Sequence, residues 1–211
     1  MRPNRIPIFP LDVVLFPAMA LPLHIFEPRY KLMIARCLGE SLEFGIILAE
    51  GKSVSSTGCT AEIVRKIKDY PDGRMDILTE GRAVFRLSDV LEEKEYYEGI
   101  VEYPADDKAP RDEPLESRLI EAFQKCHMEV YGQPWSAHPP AIHRDAVAGS
   151  LAYTLAPLLP LDLRERQSLL EMRAEHARQE FLLRWLTDSL PKIIERSRTL
   201  HRAGGNGHRP K

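Results

Sequence analysis

Residues 7–51, PIFPLDVVLFPAMALPLHIFEPRYKLMIARCLGESLEFGIILAEG, decide the fold of this chain. Two short apolar runs, Ile6 to Phe9 and Ala20 to Phe26, are separated by Pro10 and Pro17. Proline removes a backbone donor and excludes a helix in its neighbourhood, so the two runs are predicted to be strands.

A helix is predicted from Pro28, because proline is well tolerated at an early helical position. The apolar residues that follow recur at helical spacing and form one face; they are Tyr30, Met33, Ile34, Cys37 and Leu38. Gly39 predicts the end of this helix. A compact apolar run, Phe44 to Ala49, is predicted to be the next strand, so the order is strand, loop, strand, helix, strand.

A hairpin is predicted further along the chain, after a loop at 51–58 that is rich in Ser and Gly. Its strands are Cys59 to Tyr70 and Met75 to Leu87, joined by the turn sequence Tyr70-Pro71-Asp72-Gly73. Gly81 interrupts the returning strand and predicts a bulge or bend, which a sheet needs in order to curl.

One more strand, Tyr96 to Tyr103, brings the prediction to six short strands with one inserted helix. There is no alternation of strands and helices, so the sheet is expected to be mostly antiparallel and barrel-like; closure removes the exposed edges of an open sheet. The predicted fold class is α+β, and residues 1–103 form the barrel domain.

The composition changes at the polar, proline-rich linker 104–114, after which a helical bundle is predicted over 115–200. The first helix has one apolar face, formed by Leu115, Leu119, Ile120, Phe123, Cys126, His127 and Val130. A second helix surrounds Leu151 to Leu155, and a third starts with a capping box at Asp162 and Glu165. A fourth runs from Ala174 to about Pro191, and residues 201–211 are predicted to be a disordered tail.

The run His24-Ile25-Phe26-Glu27-Pro28-Arg29-Tyr30 resembles the substrate-binding N-terminal domain of Lon proteases, in the form found in stand-alone bacterial members and in the cereblon group. The resemblance continues through Glu80-Gly81-Arg82-Ala83 to about Tyr103, and more weakly from Leu151 to Leu190. It implies a six-stranded, PUA-like pseudobarrel followed by helices. It also implies a member that lacks the ATPase and peptidase domains of full-length Lon enzymes.

Composition predicts a cytoplasmic protein. Apolar residues make up 44% and charged residues 28%, which is ordinary for a soluble globular chain. No apolar run approaches the roughly 18 residues that a membrane-spanning helix needs, and the N-terminus lacks the pattern of a signal peptide. The three cysteines are widely spaced without a CxxC pair, which favours buried thiols in a reducing compartment.

The sequence predicts no enzyme, cofactor or metal site. The nearest match to a phosphate-binding loop, residues 45–53, has five residues between its glycines where the motif requires four. His138 and His143 are separated by two prolines and do not share a helical face, and no third ligand accompanies them. No nucleophile and base are visible as a pair, although such groups can be assembled in space from distant positions.

The predicted peptide-binding residues are His24, Phe26, Glu27, Arg29, Tyr30 and Trp135. The corner between strand and helix can line a groove for a peptide; alternatively, Glu27 caps the helix, Arg29 pairs with a carboxylate and Tyr30 belongs to the core. Trp135 is either packed against the helical bundle or exposed as an anchor for a partner, since Trp is enriched at binding hot spots.

Two charge runs are predicted to be solvated surface. Residues 89–107 hold eight carboxylates and one lysine, a net charge of −7, and residues 192–211 have a net charge of +5. The acidic run argues against nucleic acid as a partner, while the basic positions Arg65, Lys66, Lys68 and Arg74 leave that alternative open.

The leading hypothesis is a non-catalytic module that binds unfolded or partly folded proteins or peptides, as the Lon domain is thought to do. The segment would add to a sheet edge or lie in an apolar groove. The module would act as an adaptor for a separate protease or as a sensor; a homodimer is compatible with either. The alternative is a PUA-like protein that binds RNA or a small molecule.

Overall fold

The computed structural model describes residues 2–51, 53–107, 109–132, 135 and 150–204, except the side chains of residues 131, 190, 193 and 196–204. His138 and His143 lie outside these ranges. The chain divides into two compact units. The barrel unit comprises Met1–Asp106 and Ile142–Arg173, and the helical unit comprises Asp107–Ala141 and Ala174–Lys211. Within the described ranges, no helix combines the length and apolar character needed to cross a lipid bilayer.

Six strands form one mixed sheet in the barrel unit. They are β1 (Arg5–Leu11), β2 (Ala20–Ile25), β3 (Phe44–Glu50), β4 (Ser53–Asp69), β5 (Met75–Leu91) and β6 (Glu98–Glu102). Their order is β2-β5-β4-β3-β1-β6, and β6 also pairs with β5. Strands β1, β3, β4, β5 and β6 therefore close into a ring, and β2 extends from β5. The β1–β3 pair is parallel and the other pairings are antiparallel. The predicted pseudobarrel is confirmed.

Strands β4 and β5 are 17 residues each, much longer than the short strands that the sequence predicts. The predicted loop at 51–58 is wrong, because β4 starts at Ser53 and pairs there with Glu50. Neighbouring strands override the turn-like composition of this segment. At Gly58, for example, an added Cβ would lie 2.4 Å from the backbone oxygen of Ile46, so glycine is required by close packing.

Gly81 lies beside a β-bulge, as predicted. Cys59 pairs with Val84 and Ala61 with Gly81, so β5 has one extra residue at this point. The Gly81 backbone N–H donates to Met19 O at 2.9 Å, and Gly81 O accepts from Ala18 N at 2.8 Å. The bulge therefore holds the loop between β1 and β2 against the sheet.

The inserted helix α1 spans Pro28–Glu40, with proline at its first turn as predicted. Its apolar face packs into the main core of the barrel unit through Tyr30, Met33, Ile34 and Cys37. Burial of each large apolar side chain stabilises the fold by roughly 1.5–3 kcal/mol. Gly39 does not end the helix; the chain leaves it at Ser41, which adopts the left-handed conformation with φ 53°.

The remaining helices are α2 (Glu113–Tyr131), α3 (Leu151–Leu155), α4 (Leu163–Glu171) and α5 (Glu175–Gly204), with a 3-10 turn at Ala156–Leu158. Helices α2 and α5 belong to the helical unit, whereas α3 and α4 belong to the barrel unit. The predicted single bundle over 115–200 differs from this division. Part of the reason is that α4 is held on the sheet: Gln167 Nε2 donates to Thr57 O at 3.1 Å.

The predicted start of α4 is confirmed, whereas the predicted C-terminal end of α5 is wrong. The capping box of α4 is confirmed: Glu165 N donates to Asp162 Oδ1, and Asp162 N donates to Glu165 Oε2, both at 2.8 Å. Helix α5 passes Pro191 and reaches Gly204. Its apolar face continues across the proline, from the buried Leu186 to the half-buried Ile194. The helix includes residues 201–204 of the predicted disordered tail, and 205–211 lie outside the described ranges.

Candidate binding site

The His24 corner (residues 24–30) is the junction of β2 and α1. Side chains on a strand alternate between its two faces. Leu23 and Ile25 accordingly pack in the core, while His24 and Phe26 face outward. Phe26 is 57% exposed. The corner therefore presents one imidazole and one phenyl ring on the side of the segment opposite to the buried Ile25.

The hairpin tip (residues 65–76), where β4 turns into β5, meets this corner. His24 pairs with Asp76 in the β2–β5 register, and the two are 52 positions apart in the chain. His24 Nδ1 lies 2.5 Å from Asp76 Oδ1, and the Tyr70 hydroxyl donates to Asp76 Oδ2 at 2.9 Å. The hydrogen bond from His24 and then that from Tyr70 hold the pKa of the Asp76 carboxyl below its usual range.

Aromatic rings connect the corner to the hairpin tip. The His24 ring stacks on Phe26 with 6.0 Å between centroids and meets Tyr70 edge-on at 5.7 Å. Two cations lie against the Tyr70 ring: Lys68 Nζ is 4.5 Å and the Arg74 guanidinium carbon 5.1 Å from its centroid. These contacts hold the exposed Phe26 ring in a fixed position beside a basic surface.

The polar residues at the start of α1 bind each other. Glu27 occupies the N-cap position, but its side chain makes no cap hydrogen bond; instead its Oε2 accepts from Arg29 Nε at 3.0 Å. The Glu27 carboxylate therefore lies at the N-terminus of α1, where the sequence predicts it and where a negative charge is favoured, and Arg29 pairs with a carboxylate as predicted. Arg29 also covers the Tyr30 ring at 4.5 Å.

Tyr30 is a core residue. It is 5% exposed, and its ring stacks on Phe9 with 4.0 Å between centroids. Burial raises the pKa of its hydroxyl, with the charge of Arg29 acting in the opposite direction. Tyr30 can position the corner, but in this arrangement its ring has little surface to offer a ligand.

Trp135 belongs to the helical unit and packs on α2, in line with the first of the two predicted alternatives. Its ring meets Phe123 edge-on at 5.2 Å and is half-buried. The helical unit also has a groove of about 510 Å³ between α2 and α5, with an apolar lining that includes Ala122, Leu183 and Leu186. This groove is an alternative candidate binding surface, separate from the His24 corner.

The three cysteines are poor nucleophiles. Cys37, Cys59 and Cys126 are buried. Burial raises the pKa of all three thiols, that of Cys37 to about 12, so they stay protonated at neutral pH. Among the residues that the structure describes, no group of three or more His, Cys, Asp or Glu side chains is arranged to hold a metal ion.

Comparison with known proteins assigns the family. A family model of the ATP-dependent protease La (LON) substrate-binding domain matches residues 5–188. The chain belongs to this family. The Lon protease of Escherichia coli strain K12 is 28% identical over 224 residues, which cover 96% of this chain and 28% of that protein. Lon protease 2 of Syntrophobacter fumaroxidans is 26% identical over 202 residues, covering 90% of this chain and 25% of that protein.

Two Lon N-terminal domains of known structure share the fold. The Lon N-terminal domain protein of Xanthomonas campestris has a TM-score of 0.66 and 24% identity, and the match covers 86% of this chain and 98% of that structure. The N-terminal domain of the Mycobacterium avium complex Lon protease has a TM-score of 0.63 and 17% identity, covering 87% and 98%. The predicted Lon resemblance and fold class are confirmed.

The match to the Lon substrate-binding domain covers most of the chain, from residue 5 to residue 188. The chain spans about a quarter of the length of the two curated Lon proteases. The family model that matches is that of the substrate-binding part of these proteases. This supports a substrate-recognition module as the general class of this domain.

Proposed function

We propose that this Lon substrate-binding domain recognises other proteins by binding their exposed apolar or partly unfolded segments at the His24 corner, without cleaving them. The single observation that carries the proposal is Phe26. At 57% exposed, it is the most exposed of the large hydrophobic side chains in the described part of the chain.

A single exposed apolar residue is ordinary on a protein surface. Phe26 differs because its position is fixed on both sides: β2 holds the preceding residues in the sheet, and Pro28 starts α1 two residues later. A pre-positioned aromatic ring loses little conformational entropy on binding, which is what makes aromatic residues effective anchors. The remaining predicted residues of the corner, His24, Glu27 and Arg29, provide its polar rim.

The test is binding of a permanently unfolded polypeptide, measured by fluorescence anisotropy, to the wild type and to Phe26→Ala. Burial of a Phe ring contributes roughly 1.5–3 kcal/mol to the free energy of binding. The variant should therefore bind at least about 10-fold more weakly than the wild type. Val90→Ala is the matched control, because Val90 is also exposed, at 44%, on a distant part of β5.

A third variant, Leu183→Ala, tests the groove of the helical unit. Loss of binding in Leu183→Ala with unchanged binding in Phe26→Ala would move the site to that groove. Absence of binding by the wild type at high micromolar concentration would contradict the recognition function itself.

An adaptor role is the more specific form of the proposal. In that case the domain would deliver its bound proteins to a separate protease. Adding the domain to a full-length Lon protease should accelerate degradation of an unfolded protein, and Phe26→Ala should remove the acceleration. A sensor would bind the same proteins and leave the degradation rate unchanged.

A further inference from the structure

The surface made by the His24 corner, Lys31 and the hairpin tip has an excess of cations. Residues 24–31 and 65–76 contain six Lys or Arg and four Asp or Glu, a net charge of +2, whereas the whole chain carries −2. Three of the four carboxylates are in ion pairs on this surface: Glu27 with Arg29, Asp69 with Lys66, and Asp72 with Arg74. The fourth, Asp76, is hydrogen-bonded to His24 and Tyr70.

Three cations form no salt bridge with a carboxylate among the described residues: Lys31, Arg65 and Lys68. The charges of Lys31 and Lys68 still act at longer range, on Asp72 and Asp76 respectively. Two of them are held in place. Lys31 Nζ donates to Asp72 O at 3.0 Å, and Lys68 Nζ lies 4.5 Å from the centre of the Tyr70 ring. In the strand register, Asp76 of β5 lies opposite His24 of β2 on one side and opposite Lys68 of β4 on the other. Lys68 and His24 therefore lie in the same row of the sheet.

A surface with an exposed apolar ring, ammonium groups outside salt bridges and an excess of cations complements a segment that carries both apolar side chains and carboxylates. Single-stranded nucleic acid is also attracted to basic surfaces, but it needs free aromatic faces on which bases stack. Here Lys68 and Arg74 lie against Tyr70, and Phe26 stacks on His24. Among these rings only Phe26 is left mostly exposed, and one ring does not provide the row of aromatic faces on which successive bases stack, which favours a protein segment.

We infer that this surface selects extended protein segments in which an apolar residue, packed on Phe26, is flanked by Asp or Glu side chains that reach Lys31 and Lys68. The inference rests on the proposed function and specifies its substrate class: acidic-flanked apolar segments are preferred over neutral or basic ones. Exposed ion pairs are weak individually, so the preference is expected to be about five-fold at low salt and to vanish at high salt.

The test uses three labelled peptides of equal length with blocked termini. Each has the same Leu-Phe centre, flanked by Glu, by Gln or by Lys. Their dissociation constants are measured at about 50 mM and about 500 mM salt for the wild type, Phe26→Ala, and the double variant Lys31→Gln, Lys68→Gln. Arg164→Gln is the matched control, because Arg164 is an exposed cation of α4 and does not line the groove of the helical unit.

We expect the double variant to bind the Glu and Gln peptides equally, with the affinity for the Gln peptide unchanged from the wild type. Equal wild-type affinity for the Glu and Gln peptides, together with weaker binding of both by Phe26→Ala, would overturn the acidic preference and leave the proposed function intact. Absence of binding to every peptide would overturn both. Tighter binding of a single-stranded RNA oligomer than of the Glu peptide, lost in the double variant, would show a nucleic-acid surface and overturn the inference.

Discussion

Glu98 Oε1 accepts a hydrogen bond from Arg36 Nη1 at 2.7 Å, so the middle of α1 is tied to β6 by a carboxylate that is only 3% exposed. Arg5 Nη2 lies 2.6 Å from Oε2 and Lys94 Nζ 2.9 Å from Oε1 of the same group. Glu98 belongs to the acidic run that the sequence predicts to be solvated, and at this position the prediction is wrong because three cations compensate its burial.

Acid should destabilise the fold through Glu98. Burial opposes ionisation of this carboxyl, but Lys94, Arg5 and Arg36 outweigh it and lower its pKa from 4.5 to about 2. A group whose pKa is lowered by folding contributes stability above its unfolded pKa and loses it as pH falls through the folded pKa. The contribution of Glu98 to the free energy of unfolding, about 3 kcal/mol, should therefore disappear between about pH 4.5 and pH 2.

Chemical denaturation of the wild type and Glu98→Gln across this pH range measures the contribution of Glu98. The curves of unfolding free energy against pH should converge at the acid end. Glu95→Gln, an exposed neighbour, is the control, and parallel curves for Glu98→Gln would contradict the assignment.

Gly81→Ala should destabilise the barrel unit strongly. A Cβ at this position would lie 2.1 Å from the backbone oxygen of Phe16, and a backbone atom cannot move aside cheaply. The expected loss is about 3 kcal/mol or more in the free energy of unfolding. Gly39→Ala is the matched control, because no atom lies within 4 Å of its added Cβ inside α1. That change should stabilise the protein by about 0.5–1 kcal/mol. Equal effects of the two substitutions would contradict the close approach at Gly81.

Ala18→Gly should stabilise the protein. Phe16, Pro17, Ala18 and Met19 form a turn closed by a hydrogen bond from Met19 N to Phe16 O, and Ala18 has φ 61°. The third position of such a turn favours glycine, since a Cβ is strained at positive φ by about 1–2 kcal/mol. Part of this gain is offset by the greater freedom of glycine in the unfolded chain, leaving about 0.5–1 kcal/mol. Thermal unfolding measures the difference. A lower melting temperature than the wild type would show that the turn tolerates alanine without strain.

The native thiols should react slowly with an aromatic disulfide reagent at neutral pH. Cys37, Cys59 and Cys126 are buried, and burial raises the pKa of each thiol. Because the thiolate is the reacting form, labelling requires opening of the fold, and its rate should rise steeply with denaturant. Rapid labelling of Cys126 without denaturant would show local opening of the helical unit.

Local patterns were sufficient to predict α1 and the turn of the β4–β5 hairpin. The helical spacing of Tyr30, Met33, Ile34 and Cys37 depends on neighbours in the sequence, and all four are buried. The start of β4 could not be predicted this way, since Ser53 to Gly58 has the composition of a loop and becomes a strand through pairing with β3 and β5.

The candidate site was only half predictable. The corner residues His24 and Phe26 stand out because they are consecutive with the helix start. Their partners Tyr70 and Asp76 come from a strand register between distant segments, which no local pattern contains. The burial of Tyr30 follows from its place on the apolar face of α1, whereas the exposure of Phe26 follows from the alternation of β2.

Strand β2 pairs with β5, and the ring closes through the other five strands. The segment that presents Phe26 is therefore attached to the barrel through β5, without being one of the strands of the closed ring. Separation of β2 from β5 would therefore release the segment that presents Phe26 while the ring of β1, β3, β4, β5 and β6 stays closed.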